Sequence, residues 1–137
     1  MSTPEELIFA RIAADAPLGD LIGDRCYPLL APQDADRPYL IYRRASTRFA
    51  NTLDGYTGSA SLEFELTGYA ETYAAAKALA AAAATSLSGW RDQTTTPKID
   101  RVQITNESDG SALDVFDGRE QPVFTVSQTY TVHFEES

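Results

Sequence analysis

The sequence holds one histidine and one cysteine in 137 residues, and those two scarcities close off much familiar chemistry. A Ser-His-Asp or Cys-His centre would have to use His133, which falls on the polar side of a terminal strand pattern, and no Gly-x-Ser-x-Gly elbow accompanies it. One cysteine and one histidine cannot supply a four-ligand zinc site. Cys26 cannot form an internal disulfide, and nothing in the chain asks for an oxidising compartment. A glycine-rich phosphate cradle is missing as well. The alanine-rich stretch 74–84 is interrupted by Lys77 and falls well short of the roughly 20 apolar residues that span a bilayer. The opening Met1-Ser2-Thr3-Pro4-Glu5-Glu6 has neither the basic region nor the apolar core of a signal peptide. A soluble cytosolic chain with no cofactor, no metal and no membrane contact is expected.

Base is scarce too. Eleven Lys and Arg face twenty Asp and Glu, a net charge of −9. Affinity for nucleic acid is drawn from Lys and Arg at phosphates, so this balance argues against gripping DNA or RNA. It leaves open a surface past which nucleic acid slides. The plainer reading is solubility through self-repulsion.

What is present is the make-up of an ordinary globular protein: 43% hydrophobic and 23% charged residues. The length suits a single domain over residues 1–137, large enough to bury about two thirds of its unfolded surface without staples. The first helix is announced by Thr3, Pro4 and Glu6, a capping box with proline at the first helical position. Ile8 and Ile12 make its apolar stripe. Pro17 is expected to end it, with one more short turn through Leu18, Leu21 and Ile22 stopped at Gly23. A short strand near Tyr27 and a β-rich run at Tyr39–Arg43 follow. The clearest strand is Ser59–Tyr69, where Ala60, Leu62, Phe64 and Leu66 alternate with Ser61, Glu63, Glu65 and Thr67. Glu71 or Thr72 caps a second helix to about Leu87, closed by Gly89, with Tyr73, Ala76, Ala80, Ala83 and Leu87 on its core face. Ile99–Thr105 and Val123–Glu135 read as two more strands. Two stretches, about 45–58 and 106–121, read as long loops.

Strands in neighbouring pairs between helices give the expected class: α+β, a mainly antiparallel sheet of about four or five strands with two helices packed on one face. Long loops in so small a domain are usually functional or disordered. One carries Arg48 and follows Arg43 and Arg44, the only basic cluster. The other carries Asp109, Asp114 and Asp117. Those three acids lack the spacing of a calcium loop, and Glu63 and Glu65 are better explained as the charged face of a strand than as a glycosidase pair. The six Arg and Asp residues are therefore candidates for subunit contact, and no catalytic, cofactor or metal residue is assigned. A basic and an acidic segment on one chain is what a head-to-tail contact between copies could use.

The opening "TPEELIFARIAADAPLGDLIGDRCYPLLAPQDADRPYLIYRRAS", the middle "SLEFELTGYAETYAAAKALAAA" and the endings "NESDGSALDVFDG" and "FTVSQTYTVHFEE" resemble the phage tail completion, or tail terminator, family of siphophages and gene transfer agents. The likeness covers about residues 3 to 135. One departure is Glu71, where the family pattern has Asp at the helix start. The resemblance implies a non-catalytic virion protein that caps the finished tail tube and joins it to the head-side neck. Similar proteins form hexameric rings whose bore carries the genome. The implied partners are further copies of itself, the major tail tube protein, a head-tail connector and DNA passing without specific binding. Assembly would take place in the host bacterial cytoplasm. Two other readings stand beside it: another neck or head-tail connector protein, and a small-molecule-binding α+β module with a carboxylate base, which would need a concave pocket with converging polar groups.

Overall fold

A computed structural model describes residues 3–30, 37–52, 55–94, 97–116 and 119–135, with the backbone alone at 50–52, 56, 57, 112–116 and 119–121. The helices are α1 (Pro4–Ala14), α2 (Ala16–Ile22) and α3 (Tyr73–Leu87); the strands are β1 (Cys26–Pro28), β2 (Tyr39–Thr52), β3 (Gly55–Ala70), β4 (Lys98–Phe116) and β5 (Arg119–Glu135). The α+β class holds, with three helices where the pattern suggested two. Pro17 does not simply end a helix. It sits in the first turn of α2, where a missing N–H costs nothing. Asp15 caps that turn by accepting from Leu18 N at 3.2 Å. At α3 the cap is Thr72, whose hydroxyl accepts from Ala75 N at 3.1 Å, so Glu71 has no capping role.

The strands lie in the order β1-β2-β3-β5-β4. β1 runs parallel to β2, and every other pairing is antiparallel. Register puts Leu62 beside Val132, Phe64 beside Tyr130 and Leu66 beside Gln128. Their side of the sheet joins Ile8, Ile12, Leu18, Ile22, Leu79, Ala83 and Leu87 from the three helices in one buried cluster. The other side carries Ser61, Glu63, Glu65, Thr67, Thr129, Thr131 and His133, none of them buried. A bulge between Ile99 and Arg101 lets Ile99 and Val102, three apart, both face the core.

The two segments read as loops are strands. β2 continues to Thr52 and pairs with β3 down to Thr52↔Gly55, while β4 continues to Phe116 and pairs with β5 down to Phe116↔Arg119. The described side chains at 43–49 and 105–111 are exposed or half-buried on both faces, so no alternation of apolar and polar residues betrays these strands. The dipeptide Asp117-Gly118 between the last paired residues favours a tight hairpin turn and was the available signal.

Small residues decide how near α3 lies. Ala76, Ala80 and Ala83 are buried, and a Cβ built on Gly68 of β3 would come within 2.9 Å of Leu79 Cδ2. Gly68→Val should therefore cost about 1–3 kcal/mol by overpacking, read as a lower denaturation midpoint at unchanged slope. Tyr73, expected in the core, is 47% exposed. It stands at the first turn of α3, and its hydroxyl donates to Asp109 of β4 at 2.7 Å.

Two buried acids set the alkaline limit. Burial pushes the Cys26 thiol up to about 12. Burial first, then the Glu107 charge, raises the Tyr130 phenol above its ordinary value. Both groups stay neutral in the fold after they would ionise in the unfolded chain. Stability from this source is complete below about pH 8–9 and falls as pH rises above it. Denaturant titrations at pH 8 and 10.5 should show the drop, and Tyr130→Phe should remove part of it.

Candidate assembly surface

The sheet ends in two projecting hairpins. Pairing of β3 with β5 stops at Ala70↔Phe124, but β4 and β5 continue for five further rungs, Ala112↔Val123 to Phe116↔Arg119. Five rungs extend about 17 Å. At the opposite end β3 pairs with β5 only as far as Ser59↔Glu135, while β2 and β3 continue to Thr52↔Gly55. The two tips thus point away from each other along the strand direction.

The basic residues lie on β2. Arg43 faces the open side and pairs with Glu65 directly opposite it on β3; the hydrogen bond to Glu65 is the first reason its guanidinium is held above its usual value. Arg44 faces the helices and donates from Nε to Glu5 Oε1 of α1 at 3.1 Å. Arg48 faces the open side across from Ser61 and lines a groove of about 280 Å³ with Phe49, Asp100 and His133. His133 in turn lies 3.4 Å from Arg101.

The acidic residues lie at the far edge. Asp109 accepts from Tyr73 and forms an ion pair with Lys77 at 3.0 Å. The Tyr73 hydroxyl, then Lys77, hold its carboxyl below the usual range. Glu107 meets Lys77 at 3.5 Å and accepts from Gln128 Nε2 at 2.9 Å. Asp114 stands on the β4 arm with its side chain outside the described residues, and Asp117 lies outside them altogether. The structure does not bring the Arg and Asp candidates together within one chain, since β3 and β5 separate β2 from β4.

Sequence reasoning missed the ties that root the acidic arm. Tyr73 and Lys77 are four apart on α3, so they share one helix face, and both reach β4. Beneath them Gln128, 1% exposed, donates to Ala80 O at 3.0 Å and accepts from Tyr130 Oη at 2.6 Å. A polar residue in the middle of an apolar strand face was the signal for that buried network.

A small-molecule site would find its place in the cleft of about 380 Å³ lined by Leu7, Arg11, Asp15, Ser86, Trp90 and Asp92. Its one cation, Arg11, donates to Ser86 O at 2.7 Å and lies 4.9 Å from the centre of the Trp90 ring. That arrangement ties α1 to the end of α3. Among the described residues no group of three or more His, Cys, Asp or Glu is placed to hold a metal, and no helix is long and apolar enough to cross a membrane.

A helix-backed sheet extended by two oppositely directed hairpins defines an α+β protein. The comparisons agree with that class. The model of the family described as tail completion protein gp17 matches residues 6–131, and the chain belongs to that family. As a tail completion protein it is a structural protein of the virion's tail. The fold is similar to that of a chain in a solved structure titled "Virion of native gene transfer agent (GTA) particle", at a TM-score of 0.72 and 18% identity, covering 93% of this chain and 91% of that one. No curated protein matches the sequence.

Proposed function

We propose that residues 1–137 act as one domain that caps the completed tail tube and joins it to the head-side neck, without catalysis, as a ring of identical subunits, six by family likeness. Its partners are then the tube protein below, a connector above and DNA passing through the bore. The observation that carries this reading is the pair of oppositely directed hairpin ends, one beside Arg48 and one following Asp109. In a cyclic ring one face of each subunit meets a different face of the next, and a subunit with a basic and an acidic side can do so repeatedly. The acid left over gives the bore a surface that repels DNA weakly. Electron microscopy of particles tests the placement. Density for this chain at the tail tip, or on the portal alone, would overturn it.

The charge contact has its own test. Arg43, Arg44 and Arg48 all changed to Glu should abolish head joining, and Asp114 and Asp117 changed to Lys in the same chain should restore it. Normal particle yield from the triple Glu variant would sink the contact. The variant also removes the Arg43–Glu65 and Arg44–Glu5 pairs, but exposed pairs contribute only about 0–1 kcal/mol each, so it should still fold. Before assembly the protein should be mostly monomeric at micromolar concentration, because its open sheet face is polar and polar interfaces of modest size suit conditional association. Sedimentation showing a salt-resistant hexamer of the isolated chain would contradict this.

A further inference from the structure

Two apolar features face solvent. The first is Leu29-Leu30, just past the end of β1. Their side chains are 67% and 81% exposed, the most exposed of the described large hydrophobics. Backbone hydrogen bonds fix the turn that presents them. Leu29 N donates to Tyr42 O at 2.9 Å, and Leu30 N donates to Pro28 O at 2.7 Å. Leu29 holds φ at 65°, a region where glycine or asparagine is the ordinary choice and a leucine is strained. The second feature is the cleft of about 380 Å³ in the helix layer, whose apolar wall is Leu7, Ala10 and Ala14 of α1 with the Trp90 ring. Glu5 and Phe9 turn one side of α1 toward β2. Leu7 and Arg11, each two residues on and so about 200° round the helix, turn the other side toward the end of α3.

The leucines and the cleft lie on opposite flanks. β1 begins the strand order and β4 ends it. The Trp90 wall is fixed to β4 on both sides, because Gly89 N donates to Val102 O at 2.8 Å and Asp92 pairs with Ile99. About four strand spacings, roughly 19 Å, separate β1 from β4, so the two features do not meet in one chain.

We propose that Leu29 and Leu30 of one copy seat in the Trp90 cleft of the next. This rests on the ring reading and names a side-chain contact that locks its neighbours together. Two observations make a second copy the occupant. An apolar knob on one flank and an apolar cleft on the other form a head-to-tail contact, which repeats around a closed ring with every cleft filled. The area agrees with conditional assembly. Two leucine side chains bury on the order of 200 Å², against about 800 Å² a side in a stable interface. The contact alone does not hold two free chains together, in keeping with the monomer expected before assembly. It closes when the tail tube sets the copies side by side.

The test is Leu30→Cys with Ala14→Cys in one chain, incorporated into particles and mildly oxidised. Both positions are exposed, so the fold tolerates the changes, and the native Cys26 is buried. The expected result is a ladder of covalent multimers above the dimer that collapses on reduction, absent from either single variant. A ring visible by electron microscopy whose chains stay monomeric on the gel overturns the knob contact and leaves the ring reading standing. Particles with no ring of this chain overturn both. Hydroxyl-radical labelling of wild-type particles gives a second measurement independent of the variants. Trp90 is the one tryptophan in the chain. Leu29, Leu30 and Trp90 should each take up at least about threefold less label than in the isolated protein, as groups seated in a water-excluding contact do. Unchanged labelling of the leucines or of Trp90 overturns the proposal. Protection of all three without covalent multimers assigns them to a different protein and overturns it as well.

Discussion

Phe64→Ala should lower stability by about 3–5 kcal/mol. Phe64 is fully buried, lies beside Tyr130 in the register and stacks on Tyr42 with ring centres 5.7 Å apart. Removing the ring leaves a cavity at the meeting point of β2, β3 and β5, under the helices of the main cluster. The stack contributes a further share of about 0.5–1.5 kcal/mol beyond area burial. Ordinary domains hold about 5–15 kcal/mol in total, so the variant should melt on the order of 10–20 °C lower or fail to accumulate. Calorimetry reads this directly. A melting point within two degrees of the parent would mean that the strand faces the other way.

The second large effect concerns the polar network under α3. Gln128→Leu removes the acceptor of the Tyr130 hydroxyl, a partner of Glu107 and a donor to Ala80 O at once. The Tyr130 hydroxyl is then buried without a partner, at a cost of about 1–3 kcal/mol. Glu107 has the solvent and Lys77 to fall back on. Tyr130→Phe strands the Gln128 carbonyl oxygen for a similar cost. The double variant should cost less than the sum of the two, because it removes both halves of one hydrogen bond. A double-mutant cycle by urea denaturation measures the coupling. Strict additivity would show that Gln128 and Tyr130 do not act through each other. Since Gln128 also fixes the root of the acidic arm, Gln128→Leu should speed hydrogen exchange along 106–111.

How far the chain could be read depended on whether burial left a pattern. The core of β3 and β5 was legible because one face is dry and the other wet, and Leu62, Phe64, Leu66, Val126, Tyr130 and Val132 are all buried as expected. Tyr73 was misplaced because helical periodicity says which residues share a face and not how much of that face the sheet covers. The Arg and Asp candidates were visible as clusters, yet their intrachain partners were not. Glu5 is 39 residues from Arg44, Glu65 is 22 from Arg43, and Tyr73 is 36 from Asp109.

By itself the sequence determined the capped first helix, the alternating middle strand, the alanine helix and the scarcity of catalytic and metal-binding groups. These follow from local sterics, period and composition. Only the tertiary structure decided that the two supposed loops are long hairpins directed to opposite ends. Where both faces of a strand meet water, nothing in the side chains records the pairing, and the backbone hydrogen bonds that make it come from residues any sequence could supply. For the same reason only the fold could place the basic and the acidic residues on opposite sides of the sheet.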